Sequence, residues 1–433
     1  MRILYLIFYF NFQYTLRLFY KNLVVLNKPA RFERTVYVSN HAASFMDPLV
    51  IAAFNKSVLY FMTRSDVFTS FTRPIFWMAH MLPIYRQRDG VNTKEKNIEA
   101  FKKCTEAILK KRSLLIFGEG FTDDVFIRRL KPIKKGAARI AFTTLEACDW
   151  KEDIYIAAVG CNYSNPNKYG SDLLISTSEK IHLNVYKEQY LENPGKVINE
   201  ITAKVEQLLK NQLTHLNEEE RAGLHEQIMT IQRKGMSDAA QNNKESLQSR
   251  WEYSRKLAAY LNNSDTDVKD IEFESNEYFK KLKEHEISDQ EFFESQNVRV
   301  PFYMYLLHIL LLPFVLLGFV HCGILYLLIK RFVEKKFRRA VFWGSTKVIM
   351  MIFIAGILNL GVFFILPCCI GWPLSIVYFL LIPLFGDIFH SSLTFWKKSM
   401  RMRSIRNRDL GELSTERNNL NLKILNFVEA IGN

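Results

Sequence analysis

After Pro301 the chain changes character: residues 303–329 are nearly all apolar, and apolar runs at 348–366 and 374–386 follow, separated by "PCCIGWP" (367–373). Backbone that enters lipid must satisfy its own polar groups, so such runs fold as helices, and a span takes about 20 apolar residues. The second run qualifies, and the third does so when Cys368–Trp372 are counted with it, giving a hairpin of 348–366 and 368–386 that turns near Pro367 and Pro373. "KRFVEKKFRR" (330–339) precedes this hairpin and "KKSMRMRSIRNR" (397–408) follows it. The bias of basic residues toward the cytoplasm places both clusters on that side, as two crossings require. A single crossing by 303–329 would then put one cluster outside if the preceding domain is cytoplasmic. A break at Pro313 or Gly318 that returns the segment as a re-entrant or interfacial hairpin avoids the conflict; a plain third span is the other reading.

The formal charge of +14 suits nucleic acid, anionic lipid or a phosphorylated substrate equally well. No zinc-finger spacing, RNA-binding aromatic signature or basic zipper accompanies it, and the basic residues flank apolar segments, so the expected partner is membrane lipid and not nucleic acid. "MRILYLIFYFNFQYTLRLFYKNLVVL" (1–26) interleaves aromatics with Arg2, Arg17 and Lys21; Asn11, Gln13 and Arg17 interrupt the apolar run, and no small-residue cleavage site follows, which argues against a removed signal. Residues 1–34 are expected to form an amphipathic helix lying in the headgroup region, with packing on the chain's own core as the alternative. Cysteines 104, 148, 161, 322, 368 and 369 show no metal-ligand spacing and read as reduced thiols, so no metal and no cofactor is expected.

Between 35 and 189, short β-branched or apolar runs ("TVYVS", "SLLIF", "IYIAAVG", "DLLIST") alternate with helical patterns such as "KNIEAFKKCTEAILKK". The expected fold class is α/β, with a mixed or mostly parallel strand-rich core and surrounding helices. Residues 190–300 turn polar and helical and read as a helical insertion, a solvated subdomain. Membrane-embedded helices over 301–395 and a basic cytoplasmic tail, 396–433, complete the plan.

Within "VSNHAASFMDPLV" (38–50), His41 and Asp47 lie six positions apart. On one continuous helix they would be separated by about 600° of rotation and about 9 Å of rise, pointing apart. They meet only if His41 sits on the turn after the strand "TVYVS" and Asp47 on the first turns of the next helix, with Asn40 or Ser44 supplying turn or cap hydrogen bonds. Asp47 would then hold one ring nitrogen and leave the other, starting from a pKa of about 6.5, to accept a substrate proton. Taken alone, the pair is weak evidence, since a lone His near an Asp is more often structural, as at an ordinary strand-to-helix turn.

The neighbouring residues decide between these. "NHAASFMDP" resembles the first motif of glycerolipid acyltransferases of the PlsC type, in the branch that places five residues between His and Asp. Three further stretches resemble that superfamily's motifs in order: "MLPIYRQRDG" (81–90), "LLIFGEGFTDD" (114–124) and "IAAVGCNY" (156–163). The resemblance implies His41 and Asp47 as the catalytic pair. It implies Arg86, with Arg88 beside it, as ligands of the acceptor's phosphate, and Glu119 and Gly120 as acceptor-binding. Asn40, Ser44, Arg64 and Lys134 join the substrate-binding set, Arg64 standing where the family often has Lys. Gly118 and Phe121 replace the usual Pro and Thr of the third motif, and Ala158 stands where the fourth commonly has Pro.

The resemblance further implies transfer of a fatty acyl group from acyl-CoA or acyl carrier protein to a hydroxyl of lysophosphatidate or glycerol 3-phosphate. The charge bias of the tail places the catalytic domain on the cytoplasmic face of a membrane. An acyltransferase acting on another lyso-lipid or aminolipid, and a catalytically silent membrane scaffold, are the alternatives. A hydrolase would need an activated nucleophile or a metal, and neither a GxSxG elbow nor ligand-like histidine spacing is present.

Overall fold

The computed structural model of the chain describes residues 3–28, 33–55, 58–70, 72–85, 93–241, 244–263 and 267–429. Their contacts divide it into two units, one of Met1–His225 with Lys234–Ser264, the other of Glu226–Arg233 with Asp265–Asn433.

The β-branched and apolar runs of the first unit become one mixed sheet. Its strands are β1 (Tyr20–Leu26), β2 (Thr35–Ser39), β3 (Leu59–Arg64), β4 (Met81–Ile84), β5 (Ser113–Phe117), β6 (Tyr155–Tyr163), β7 (Ser171–Thr177) and β8 (Ile181–His182), in the order β1-β7-β6-β2-β5-β3-β4, with β8 paired to β6. β2, β3, β4, β5 and β6 run parallel to their neighbours among one another; β7 and β8 are antiparallel to β6. All five residues of β2 are buried, which is why "TVYVS" reads as a continuous run and not as an alternation. Val36 and Val38 share a buried cluster with Leu114 and Ile156, and with Phe142, Ile201 and Val205 from the helices Gly136–Ala147 and Pro194–Asn211.

Parallel neighbours that end together bring their loops to one edge. Ser39 pairs with Phe117 of β5 and with Val159 of β6, so the loops after β2 and β5 leave the sheet side by side while β6 runs on past them. Crevices outside the carboxyl ends of parallel strands are where α/β sheets place ligands.

The N-terminal helix stops at Phe19, and the rest of the segment expected to be helical is different: Tyr20–Leu26 is the edge strand β1, parallel to β7, as suits "NLVVL" with its adjacent valines. Ile3–Phe19 packs one face inward through Tyr5, Leu16 and Phe19, with Gln13 donating to the Ala53 carbonyl (2.6 Å). Ile3, Ile7, Phe10, Tyr14 and Leu18, spaced three and four apart, form an exposed apolar stripe on the same helix.

The second unit is helical. Lys269–Glu284, Asp289–Asn297 and Gly411–Glu429 join around a buried ion pair, in which Arg417 holds Asp289 through Nε (2.7 Å) and Nη2 (3.0 Å) while Tyr278 donates to the same carboxylate. Leu312–Lys336, Ala340–Ile370 and Trp372–Arg406 are each long and apolar enough to cross a membrane. Residues 303–329 do not fold back at Gly318, because Leu312–Lys336 is one continuous helix. Pro313 instead sits in the first turn of that helix, behind a break at Leu311, where its missing N–H costs no hydrogen bond.

Candidate active site

β2 delivers the chain to Asn40, whose side chain mimics a strand partner: Oδ1 accepts from Cys161 N (2.9 Å) and Nδ2 donates to Cys161 O (3.1 Å). This clamp fixes the turn that follows. Ser44, buried, adopts φ +53°, a left-handed conformation uncommon for a residue with a Cβ, and the helix Met46–Phe54 starts two residues on, with Phe45 as its N-cap residue. Asp47, in the first turn of that helix and fully buried, turns its carboxylate back over the loop. Its Oδ2 accepts from Ala43 N (2.9 Å) and lies 3.0 Å from His41 Nδ1, so the two residues meet in the way the turn geometry requires.

The carboxylate is an acceptor, which assigns the proton to Nδ1 and leaves Nε2 with a lone pair. The ring stacks on Phe117, the last residue of β5, with centroids 4.1 Å apart and planes 16° from parallel. Nε2 has no protein partner among the described residues, and the His41 side chain is 22% exposed against 0% for Asp47. A buried acceptor, a restrained ring and an accessible nitrogen are the parts of a general base.

Two further groups complete the arrangement. Tyr163, the last residue of β6, donates its buried hydroxyl to Asp47 Oδ1 (2.8 Å). Burial and the neighbouring Asp47 push this phenol well above its ordinary range, so it stays a donor. Glu119 is 5% exposed; its Oε1 accepts from the His41 backbone N–H (2.8 Å) and its Oε2 from Lys131 N (3.3 Å). Burial raises the pKa of this carboxyl, while the two N–H groups partly counter that.

The loop that carries Glu119 is tight. Gly118 N donates to Ser39 O (3.1 Å), and a Cβ at this position would come within 2.8 Å of Ile133 Cγ2 and 3.0 Å of Val38 Cγ1. The loop uses both the N–H and the space, which suits a glycine at this position. Gly120 has φ +76°, and Lys134, itself exposed, lays its ammonium against it.

The remaining expected residues are placed less centrally. Arg64 closes β3, two strands from β2, with its exposed guanidinium held by Asp66 (Nε to Oδ1, 3.0 Å). Arg86 and Arg88 lie outside the described residues; β4 ends just before them at Ile84, and Asn97 clasps the Tyr85 backbone (2.9 Å on both sides). Sequence reasoning assigned no role to Tyr163 or Phe117. Phe117 was within reach, being the residue before the "GEG" turn on a strand next to β2, whereas Tyr163 depends on the β6–β2 register.

Residues 24–162 match the family model for acyltransferases, a span that holds His41, Asp47, Glu119 and Cys161. These residues form an acyltransferase domain. The four motifs lie within this span, except for Tyr163, which follows its last matched residue. The crystal structure of the 1-acyl-sn-glycerophosphate (LPA) acyltransferase PlsC from Thermotoga maritima is similar to this chain at 17% sequence identity and a TM-score of 0.30, over 48% of this chain and 79% of that one. No curated protein sequence gives a significant match.

Proposed function

We propose that the acyltransferase domain moves a fatty acyl group from a thioester, on CoA or acyl carrier protein, to a hydroxyl of a glycerol-phosphate lipid precursor, with lysophosphatidate the first choice and glycerol 3-phosphate the second. The observation that carries this reading is the closed His41–Asp47 pair with Nε2 turned outward. His41 Nε2 takes the proton of the acceptor hydroxyl as its oxygen attacks the thioester carbon. Asp47 holds Nδ1 and balances the imidazolium. When the C–S bond breaks, the imidazolium returns the proton to the thiolate, so no acyl-enzyme forms and no cofactor takes part.

The backbone N–H of Ala43 is committed to Asp47 and that of His41 to Glu119. Ala42 and Ser44 N–H carry no protein partner among the described residues and are the groups assigned to the oxyanion. Glu119 and Asn40 act by fixing the backbone on either side of His41, and Lys134 beside Gly120, with Arg64, Arg86 and Arg88, supplies cations for the acceptor's phosphate. The exposed stripe Ile3, Ile7, Phe10, Tyr14 and Leu18 suits a helix resting in the headgroup layer, where a lipid acceptor arrives. The domain is assigned to the cytoplasmic face.

The test is acyl transfer by the detergent-purified full chain, with radiolabelled acyl-CoA and acyl carrier protein thioesters each offered glycerol 3-phosphate, lysophosphatidate and a lyso-aminolipid. Label appearing in lysophosphatidate made from glycerol 3-phosphate, or in phosphatidate made from lysophosphatidate, and lost in His41→Ala, supports the reading. Label appearing only in the aminolipid, or transfer that survives His41→Ala, overturns it.

A further inference from the structure

The second unit holds three helices of spanning length, yet their mutual contacts are not those of three crossings. Along its first half, Phe302–Gly318 follows Trp372–Arg406 in the antiparallel sense. Tyr305 lies edge-on to Phe395 and Trp396, His308 Nδ1 is 2.7 Å from Ser392 Oγ, and Phe314 stacks on Phe385. At Gly318 the two backbones touch: a Cβ there would fall 2.0 Å from the Phe385 carbonyl oxygen. Beyond the π-helical turn Phe319–Gly323 the same helix follows the other neighbour, Ala340–Ile370, again antiparallel, from His321 at Asn359 (2.5 Å) to Glu334 at Lys347 (3.4 Å).

The helices Ala340–Ile370 and Trp372–Arg406 meet beside their connecting turn at Gly371 (φ +76°), where Phe363 touches Trp372 and Phe379. If they lay side by side along their lengths, a third helix that follows one toward that turn and the other away from it would have to reverse direction near His321. A continuous helix bends, most readily at a π-turn, but does not reverse. The two arms therefore open widely from Gly371, and Phe302–Lys336 lies across the opening.

Parity makes the same point. Three crossings would leave the start of the first helix and the end of the third on opposite faces. The structure puts them together: Tyr305 lies against Trp396, and Arg406 donates to the carbonyls of Ser295 (2.9 Å) and Val298 (3.0 Å). Four residues reach about 14 Å at most, far short of a hydrocarbon core of about 30 Å.

We infer that this unit is a wedge that enters one leaflet of a lipid bilayer and returns to the face it came from, with the Gly371 turn as its deepest point. Both outer corners are basic, at 330–339 and 397–408, and suit anionic headgroups on a single face, whereas the tip "PCCIGWP" carries no charge. His321 contacts Asn359 and Tyr378, twelve and seven residues from the tip, so the cross-helix passes roughly 10–18 Å from it, about half a bilayer. Polar groups at that depth need partners, and these have them. His321 bonds Asn359 Oδ1 and the Tyr378 hydroxyl (2.8 Å), and Asn359 Nδ2 donates to the carbonyls of Ala355 (2.8 Å) and His321 (3.4 Å), at the two π-turns of the unit. The wedge lies outside the matched acyltransferase domain and stands apart from the proposed reaction.

The test is cysteine accessibility in the full chain on sealed right-side-out and inside-out vesicles, with a membrane-impermeant polyethylene glycol maleimide. On a cysteine-free background, single reporters are placed by Val300→Cys, Arg338→Cys and Arg408→Cys, and Cys368 is retained alone as the tip reporter. The wedge requires all three corner reporters to label in the same vesicle orientation and Cys368 to label in neither until detergent is added. Labelling of Arg338→Cys in the orientation opposite to Val300→Cys, or of Cys368 from the far side, overturns it. Should the cysteine-free background fail to accumulate, the difference in brominated-lipid quenching between the native chain and Trp372→Phe answers the same question. Strongest quenching by bromines near the chain ends supports the wedge, and strongest quenching at headgroup depth contradicts it.

Discussion

Tyr163→Phe removes one oxygen from the core of the proposed active site and leaves the ring that packs near Tyr20 and Phe126. Asp47 has three donors, His41 Nδ1 and Ala43 N on one oxygen and the Tyr163 hydroxyl alone on the other, in a site closed to water. A hydrogen bond to an ionised group contributes about 1.5–3 kcal/mol, and with no water to replace it the variant loses most of that. The carboxylate can recover part by swinging Oδ1 elsewhere, which moves the oxygen that holds His41. If half the loss is felt in the transition state, kcat falls about threefold to tenfold, at roughly 1.4 kcal/mol per tenfold. The hydroxyl is buried and reaches neither substrate, so both KM values should stay within about twofold. Steady-state acyl transfer by the purified chain, beside a thermal melt, reads both effects. Tyr20→Phe is the control: that hydroxyl is buried and has no hydrogen-bond partner among the described residues, so its loss should leave kcat unchanged. A Tyr163→Phe enzyme with full kcat, or one that lost affinity instead, would refute the reasoning.

Gly118→Pro, which restores the residue usual in the superfamily, should destabilise this chain by roughly 2 kcal/mol or more, because it deletes the bond to Ser39 O and drives a ring into Ile133; chemical unfolding checks it, and a neutral result would show that the loop relaxes freely. Lys134→Ala should raise the acceptor's KM about threefold to tenfold with kcat nearly constant, as expected for a cation that binds phosphate from an exposed position; an unchanged KM removes it from the site. His215 accepts from Leu130 N (3.0 Å), and burial, assisted by Lys210, lowers its imidazole pKa to about 4. The unfolded chain binds that proton first, so stability present above about 6.5 is lost as pH falls through about 4, by roughly 2 kcal/mol after allowance for partial exposure. Melts of the native chain and His215→Gln across that window should converge at low pH, and parallel curves would contradict the assignment.

The parts of the site that local chemistry dictates were legible in the sequence. "TVYVS" could hardly be anything but a buried strand, and the six-residue offset of His41 and Asp47 could close only over a turn, which is how it closes. Partnerships set by long-range register were not legible: Tyr163 reaches Asp47 from β6, and Glu119 spends both oxygens on backbone N–H groups 78 and 12 residues away. Tyr20–Leu26 was hidden because an aromatic, apolar run continues without a break from the helix before it. The apolar tail revealed its helices but not their directions, because hydropathy carries no sign along the chain. The route of 302–336 across two arms rests on Gly318, His321 and Asn359, whose partners on the neighbouring helices lie 38 or more residues distant.

The central claim is that His41 Nε2 removes the acceptor's proton in a single direct transfer. Its most direct measurement is the initial rate of acyl transfer from acyl-CoA to lysophosphatidate by His41→Ala, at saturating substrates and with a melt matching the native chain. General-base catalysis of this kind contributes about 10²–10⁴-fold, so the rate should fall by at least about a hundredfold. A folded His41→Ala enzyme within tenfold of the native rate would contradict the account.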